Sequence, residues 1–196
     1  MYLLGDIVGG IVTPNYYYIR NAVSELVQSG AENRFLFSLF FFTHAVMNIL
    51  FAVGLMIHHP YKQSKSTFSG AILLLVVGVS HSLSGTVFAM DPVGEEMTFP
   101  GIVHLVLVGI TVLAIFALFP LTALGLYQYR NWKGFLLFSF VGLLIILISG
   151  IASPIVIANG IEVMGVTERI TGYTFYIWLF ALAYLLLREQ PGGLEN

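Results

Sequence analysis

The residues able to do chemistry in this chain are few, and most of them lie where chemistry is expensive. His44, Asn48, Ser80, His81, Ser84 and Ser149 sit inside long apolar stretches. A polar group in such surroundings is costly, so each is a functional candidate until a partner accounts for it. Neutral imidazole ligates zinc and other transition metals, so His44 and His81 could hold a metal ion, with a serine or a water completing the site. The same pair could be axial ligands of a haem, although two histidines on helices are a weak signature for one. The preferred reading is structural: each imidazole hydrogen-bonds a serine, an asparagine or a carbonyl across a helix interface. Ser80 and Ser84 are spaced i, i+4 with Gly78 and Gly85 nearby, a pattern that suits close helix packing better than nucleophilic catalysis.

A second set gathers beside the ends of the apolar stretches: Ser24, Glu25, Asp91, His104, Glu168 and Arg169. Carboxylates, a histidine and one arginine in a single layer could form a cation site or an acid/base pair. They could equally form an ion-pair network tying loops to the bundle, because Arg169 needs a counter-charge that Glu25 or Asp91 could supply. Ser24 and Glu25 could also cap a local helix. Asp6, in a short apolar segment at the start, could be a proton or cation site at membrane depth, or sit at a wet helix end.

What must position these groups is a set of membrane spans. The chain has 196 residues, 58% hydrophobic and 9% charged, where a soluble domain carries about a quarter charged. Its mean hydropathy is +0.90. Five stretches, residues 35–57, 67–90, 101–127, 134–158 and 170–187, reach the roughly 20 apolar residues a spanning helix needs. Residues 1–13 would cover only about 20 Å and count as a short first span. The expected fold is therefore an all-α polytopic bundle of about six transmembrane helices in one domain, residues 1–196. Between the first two spans, residues 15–34 mix Tyr16, Tyr17, Tyr18, Ile19, Val23, Leu26 and Val27 with Arg20, Glu25, Glu32 and Arg34. They predict an amphipathic interfacial helix anchored by its tyrosines, with an ordinary folded loop as the alternative. Pro120 and Pro154 fall inside spans and predict kinks there.

Orientation follows from the basic residues. Lys62, Lys65, Arg130, Lys133 and Arg188 alternate with loops that hold Glu25, Glu32, Asp91, Glu95, Glu96, Glu162 and Glu168. The lysine-bearing side is expected to be cytoplasmic, with both termini there and the acidic face outside, in the plasma membrane. On that topology His44 and His81 each lie about nine residues, or roughly 14 Å, below the acidic face. Ser149 is expected at a similar depth, with Asn48, Ser80 and Ser84 within a turn or two, so that together they would line an outward-facing polar pocket.

Several classes are excluded. The chain has no cysteine, hence no disulfide, thiolate metal site or iron–sulfur cluster. A net charge of −2 lacks the basic stripe that a nucleic-acid partner requires. The start, Met1-Tyr2-Leu3-Leu4, has no basic region and does not read as a cleaved signal peptide.

Pro14-Asn15-Tyr16, then Asn21-Ala22-Val23-Ser24-Glu25-Leu26, then Asp91 and His104 about the third loop, then Glu168-Arg169 ahead of Trp178, resembles a family of small prokaryotic membrane proteins known as domain of unknown function 998. The resemblance covers nearly the whole chain. It implies a six-helix bundle, marks Ser24, Glu25, Asp91, His104 and Arg169 as matching positions, and implies no activity. The chain departs from the family pattern in a curtailed first helix and in Ala89-Met90 where a proline often precedes the aspartate. A more remote similarity is to the ceramidase and progestin/adiponectin-receptor group of membrane hydrolases. That group's paired histidine motif, H-x-x-x-H, is missing here, so the similarity is an analogy only.

The function expected from the sequence is a non-enzymatic multi-pass membrane protein, either a subunit of a larger assembly or a lipid- or small-molecule-binding protein. One rival is a metal-dependent membrane hydrolase acting on a lipid, with His44, His81 and His104 as ligands and Asp91 as base. The other is a transporter or channel using Asp6, His44 and His81. Expected partners are membrane lipids and further protein subunits, including copies of the same chain. Phe40, Phe41 and Phe42 in a row make several faces of one helix apolar at once.

Overall fold

The structure is a computed structural model that describes residues 1–57, 64–130 and 132–188. Its elements are α1 (Tyr2–Val12), a short 3-10 helix (Val23–Val27), α2 (Arg34–Ile57), α3 (Lys65–Thr86), α4 (Phe99–Arg130), α5 (Lys133–Ala158) and α6 (Met164–Arg188). Five of the helices, α2 to α6, are long and apolar enough to cross a membrane. α1 has 11 residues and reaches only about 16 Å, half of a bilayer core. Successive helices alternate in direction. One end of the bundle, here the loop face, therefore carries the end of α1, the starts of α2, α4 and α6, and the ends of α3 and α5. Lys65 and Lys133 open α3 and α5 at the opposite face; Lys62 lies outside the described residues.

Small residues set how closely the helices approach. A methyl group at Gly70 of α3 would overlap the hydroxyl of Thr122, and one at Gly125 of α4 would overlap that of Thr67. The two helices interlock reciprocally, as close packing in lipid favours. Ser64 caps α3, its hydroxyl accepting from Thr67 N at 3.2 Å, and Ser66 donates to the Leu121 carbonyl at 2.7 Å. That second bond crosses to α4 one residue beyond Pro120, which sits within a continuous helix, as does Pro154 in α5. The main core runs through α2 to α6, with its aromatic centre between α4, α5 and α6. Trp178 is fully buried and stacks on Phe119 with centroids 4.2 Å apart. Its indole N–H donates to Ser139 Oγ at 2.8 Å, and Ser139 donates to its own helix at Phe135 O, so no polar atom of this cluster is left bare.

The segment expected to form an amphipathic helix does not. Residues 15–33 make a folded loop whose only helical part is the five-residue 3-10 turn. The reason is competition for backbone groups. Tyr17 N donates to Asn21 Oδ1 at 2.8 Å, and Ala22 N to Glu25 Oε1 at 2.7 Å. Glu168, from α6, accepts from Val23 N at 2.7 Å and Ser24 N at 3.3 Å. Amides that a longer helix would have paired internally are taken by carboxylates and amides of side chains. Asn15 and Gly30 both have positive φ, 58° and 79°, which fixes turns at the two ends of the segment. Val23, Leu26 and Val27 then plug the loop face against Phe37 and Phe41, and Ser29 N pairs with Met90 O at 2.8 Å.

Candidate functional site

The loop is held by one arginine. Asp6 is wholly buried and the Arg169 side chain is 10% exposed. Arg169 Nε donates to Asp6 Oδ2 at 3.0 Å and Nη2 to Oδ1 at 2.7 Å, the bidentate fork that guanidinium and carboxylate geometry favours. Nη2 also reaches the Tyr16 hydroxyl at 2.6 Å. Nη1 reaches the carbonyls of Tyr18, Asn21 and Gly165 at 2.6, 2.9 and 3.0 Å. Every guanidinium N–H has an acceptor. Tyr18 lies under the cation with its ring centroid 4.9 Å away, and Tyr173 donates its hydroxyl to Asp6. Burial pushes the Tyr16 phenol above its ordinary range, with Arg169 pulling the other way. Tyr16 therefore stays protonated and passes its own hydrogen to Ala22 O at 2.9 Å.

The outer-rim candidates thus resolve into separate local structures. Arg169 takes its counter-charge from Asp6, not from Glu25 or Asp91. Glu25 caps the 3-10 turn through Ala22 N and accepts from Asn21 Nδ2 at 2.6 Å, while the Ser24 amide is held by Glu168. Asp91 receives Thr98 N at 2.7 Å and Thr98 Oγ1 at 2.8 Å. It lies against Gly101 at the start of α4, where a carboxylate is favoured by the helix dipole. His104 is buried and directs Nδ1 at Phe88 O and Ser84 O, 2.9 and 3.2 Å away. Carbonyls only accept, so Nδ1 carries the proton and ties α4 to the end of α3.

Gly165 is the close-approach position of this network. A methyl group there would strike the carbonyls of Tyr18 and Asn21 and the Arg169 guanidinium. Two of these are backbone and cannot swing aside. Gly165→Ala is expected to lift the loop and cost about 1–3 kcal/mol by overpacking, read as faster proteolytic cleavage within residues 15–33. Cleavage at the wild-type rate would refute the contact.

Within the bundle, His44 and His81 are brought together, their ring centroids 6.4 Å apart. Asn48 donates its amide to His44 Nε2 at 2.9 Å, occupying the lone pair that a metal would need. Tyr176 meets His44 edge-on at 4.5 Å, and Tyr2 packs on both His44 and Tyr176. Ser80 and Ser84 are buried on α3, and Ser84 lends its carbonyl to His104. Ser149 is taken up by α6, its hydroxyl 2.7 Å from Thr171 Oγ1. Among the described residues no group of three or more His, Asp and Glu could hold a metal ion.

What the loop does leave open is a recess of about 270 Å³. Leu26 and Phe37 contribute its apolar lining, and its polar lining includes Thr13, Asn15, Asn21, Glu25, Gln28 and Glu32, with no lysine or arginine among the described residues. Thr13 Oγ1 and Gln28 Oε1, on two of the lining residues, are buried in the protein without a hydrogen-bond partner. Sequence reasoning missed this recess, along with Tyr16, Tyr18 and Tyr173 as partners of the ion pair. The missing signal for the ion pair was depth. Asp6 is six residues from the end of α1 and Arg169 five from the start of α6, so both lie about 8–9 Å below the loop face.

An all-helical bundle with five membrane-length apolar helices and a half-length sixth, its charges concentrated near the helix ends, is an integral membrane protein. The chain belongs to the family described as Protein of unknown function (DUF998), whose model matches residues 1–185. No curated protein and no solved structure matches it.

Proposed function

We propose that this protein is a non-enzymatic binding protein whose polar pocket is the recess beneath the 15–33 loop, open to the outside of the cell, with both termini cytoplasmic. The ligand class is a small organic cation such as a primary ammonium. The observation that carries this reading is the recess lining: the carboxylates of Glu25 and Glu32 set among amides, with no lysine or arginine lining it among the described residues. An N–H-bearing cation gains charge-assisted hydrogen bonds from such carboxylates. The surrounding loop face carries more carboxylates than cations, which raises the local concentration of positively charged solutes.

Binding is favoured over hydrolysis because the groups named for catalysis are committed elsewhere. Both oxygens of Asp91 hold Thr98, and His104 holds two carbonyls. Ethanolamine, protonated at pH 7, is the probe. Glu32→Gln, at an exposed residue on the recess, is expected to weaken its binding about tenfold, the worth of one charged hydrogen bond, with stability unchanged. Calorimetry showing no ethanolamine binding by the wild type, or equal binding by the variant, would sink the proposal.

A further inference from the structure

A second opening lies on the apolar flank of the bundle, where the start of α2 meets the end of α3. It is a groove of about 500 Å³ lined by Arg34, Phe35, Ser38, Leu39, Phe42 and Thr86. Its walls are apolar and bare: Phe35 is 86% exposed, Leu39 52% and Phe42 43%. They follow α2 inward from the loop face for two turns, or about 12 Å. At the mouth stands Arg34. One guanidinium nitrogen, Nη2, donates to the Thr86 carbonyl at 3.1 Å, which aims the group across the end of α3. Among the described residues the ion pairs are Arg20 with Glu162 and Arg169 with Asp6, and Arg34 has no carboxylate partner. Glu32, two residues earlier, lines the other recess.

A cation without a counter-charge at the head of an apolar trough, at the level where lipid headgroups begin, matches an amphiphile with an anionic head and an alkyl tail. We propose that this groove binds an anionic phospholipid, its phosphate on Arg34 and one acyl chain along Phe35, Leu39 and Phe42. The N–H groups of Arg34 that Thr86 leaves unused suit a phosphate, which guanidinium grips through two parallel bonds. Ser38, one turn below, supplies a hydroxyl at the ester level. The site is separate from the recess beneath the loop, so either can fail without the other.

The test uses the full chain in neutral detergent, with phosphatidylglycerol or phosphatidylcholine of identical acyl chains, bound lipid being counted by native mass spectrometry. Phosphatidylglycerol is expected to bind about tenfold more tightly, as a charge-assisted pair warrants, and Arg34→Gln to bring the two lipids within about twofold. Leu39→Trp fills the trough and leaves the guanidinium in place; it is expected to weaken both lipids, and it stands alone if the arginine variant does not fold. Any of four results overturns the proposal: equal binding of the two lipids by the wild type, a phosphatidylglycerol preference that survives Arg34→Gln, displacement of the lipid by inorganic phosphate, or a cysteine cross-link at position 39 showing that a second copy of the chain covers the groove.

Discussion

Replacing Asp6 by alanine is expected to cost about 3–5 kcal/mol of stability, the largest single-residue effect in this bundle. The carboxylate is wholly buried and grips Arg169 through two hydrogen bonds. Its removal leaves a guanidinium inside the membrane region with Tyr16 and three carbonyls as its acceptors, and no compensating charge. Arg169→Met is expected to be as damaging, for it strands Asp6 with Tyr173 and also strips the Tyr18 and Asn21 carbonyls of their donor. Joining Asp6→Leu to Arg169→Met separates these contributions. The double variant removes both charges and is expected to recover the ion-pair part of the loss, a coupling of about 2–3 kcal/mol, while the orphaned carbonyls keep the loop loose. Unfolding titrated with sodium dodecyl sulfate measures all four proteins. An Asp6→Ala variant within about 0.5 kcal/mol of wild type, the range of an ordinary surface change, would mean that the pair holds nothing together.

The spans were legible because lipid imposes one rule on every residue of a crossing helix, and apolar runs of the necessary length are hard to produce otherwise. The half-length α1 was counted because the alternation of basic and acidic loops favours an even number of crossings. The histidine pair was legible for the same reason: once direction and entry point are known, depth is arithmetic, and His44 and His81 fall level. The loop at residues 15–33 was not. Its apolar and charged residues recur at a spacing that suits a helix, and nothing local shows that Glu168, more than 140 residues later, will claim the Val23 and Ser24 amides. Its tyrosines were read as interface anchors because Tyr at a membrane edge usually is one, whereas Tyr16 and Tyr18 turn inward to the Arg169 cation. Asp6 and Arg169 were each noticed alone. The depth argument that aligned the histidines, applied to these two charges, pairs them.

Glu168→Ala is the second large effect expected, and it separates the loop from the bundle. The carboxylate accepts from two consecutive amides, Val23 N and Ser24 N, at the first turn of the 3-10 helix, whose three apolar side chains plug the loop face. Without it both N–H groups lose their acceptor next to a buried cluster, at about 1–3 kcal/mol each. The long interhelical packing is expected to persist, because the aromatic core around Trp178 lies about 15 Å further along α6. The variant is therefore expected to keep its helical content while residues 15–33 become open to protease and the recess loses ethanolamine binding. Glu168→Gln retains one acceptor oxygen and is expected to lose about half as much. If the loop of Glu168→Ala resists protease as the wild type does, its docking rests on Arg169 and the apolar plug alone, and the carboxylate is dispensable to it.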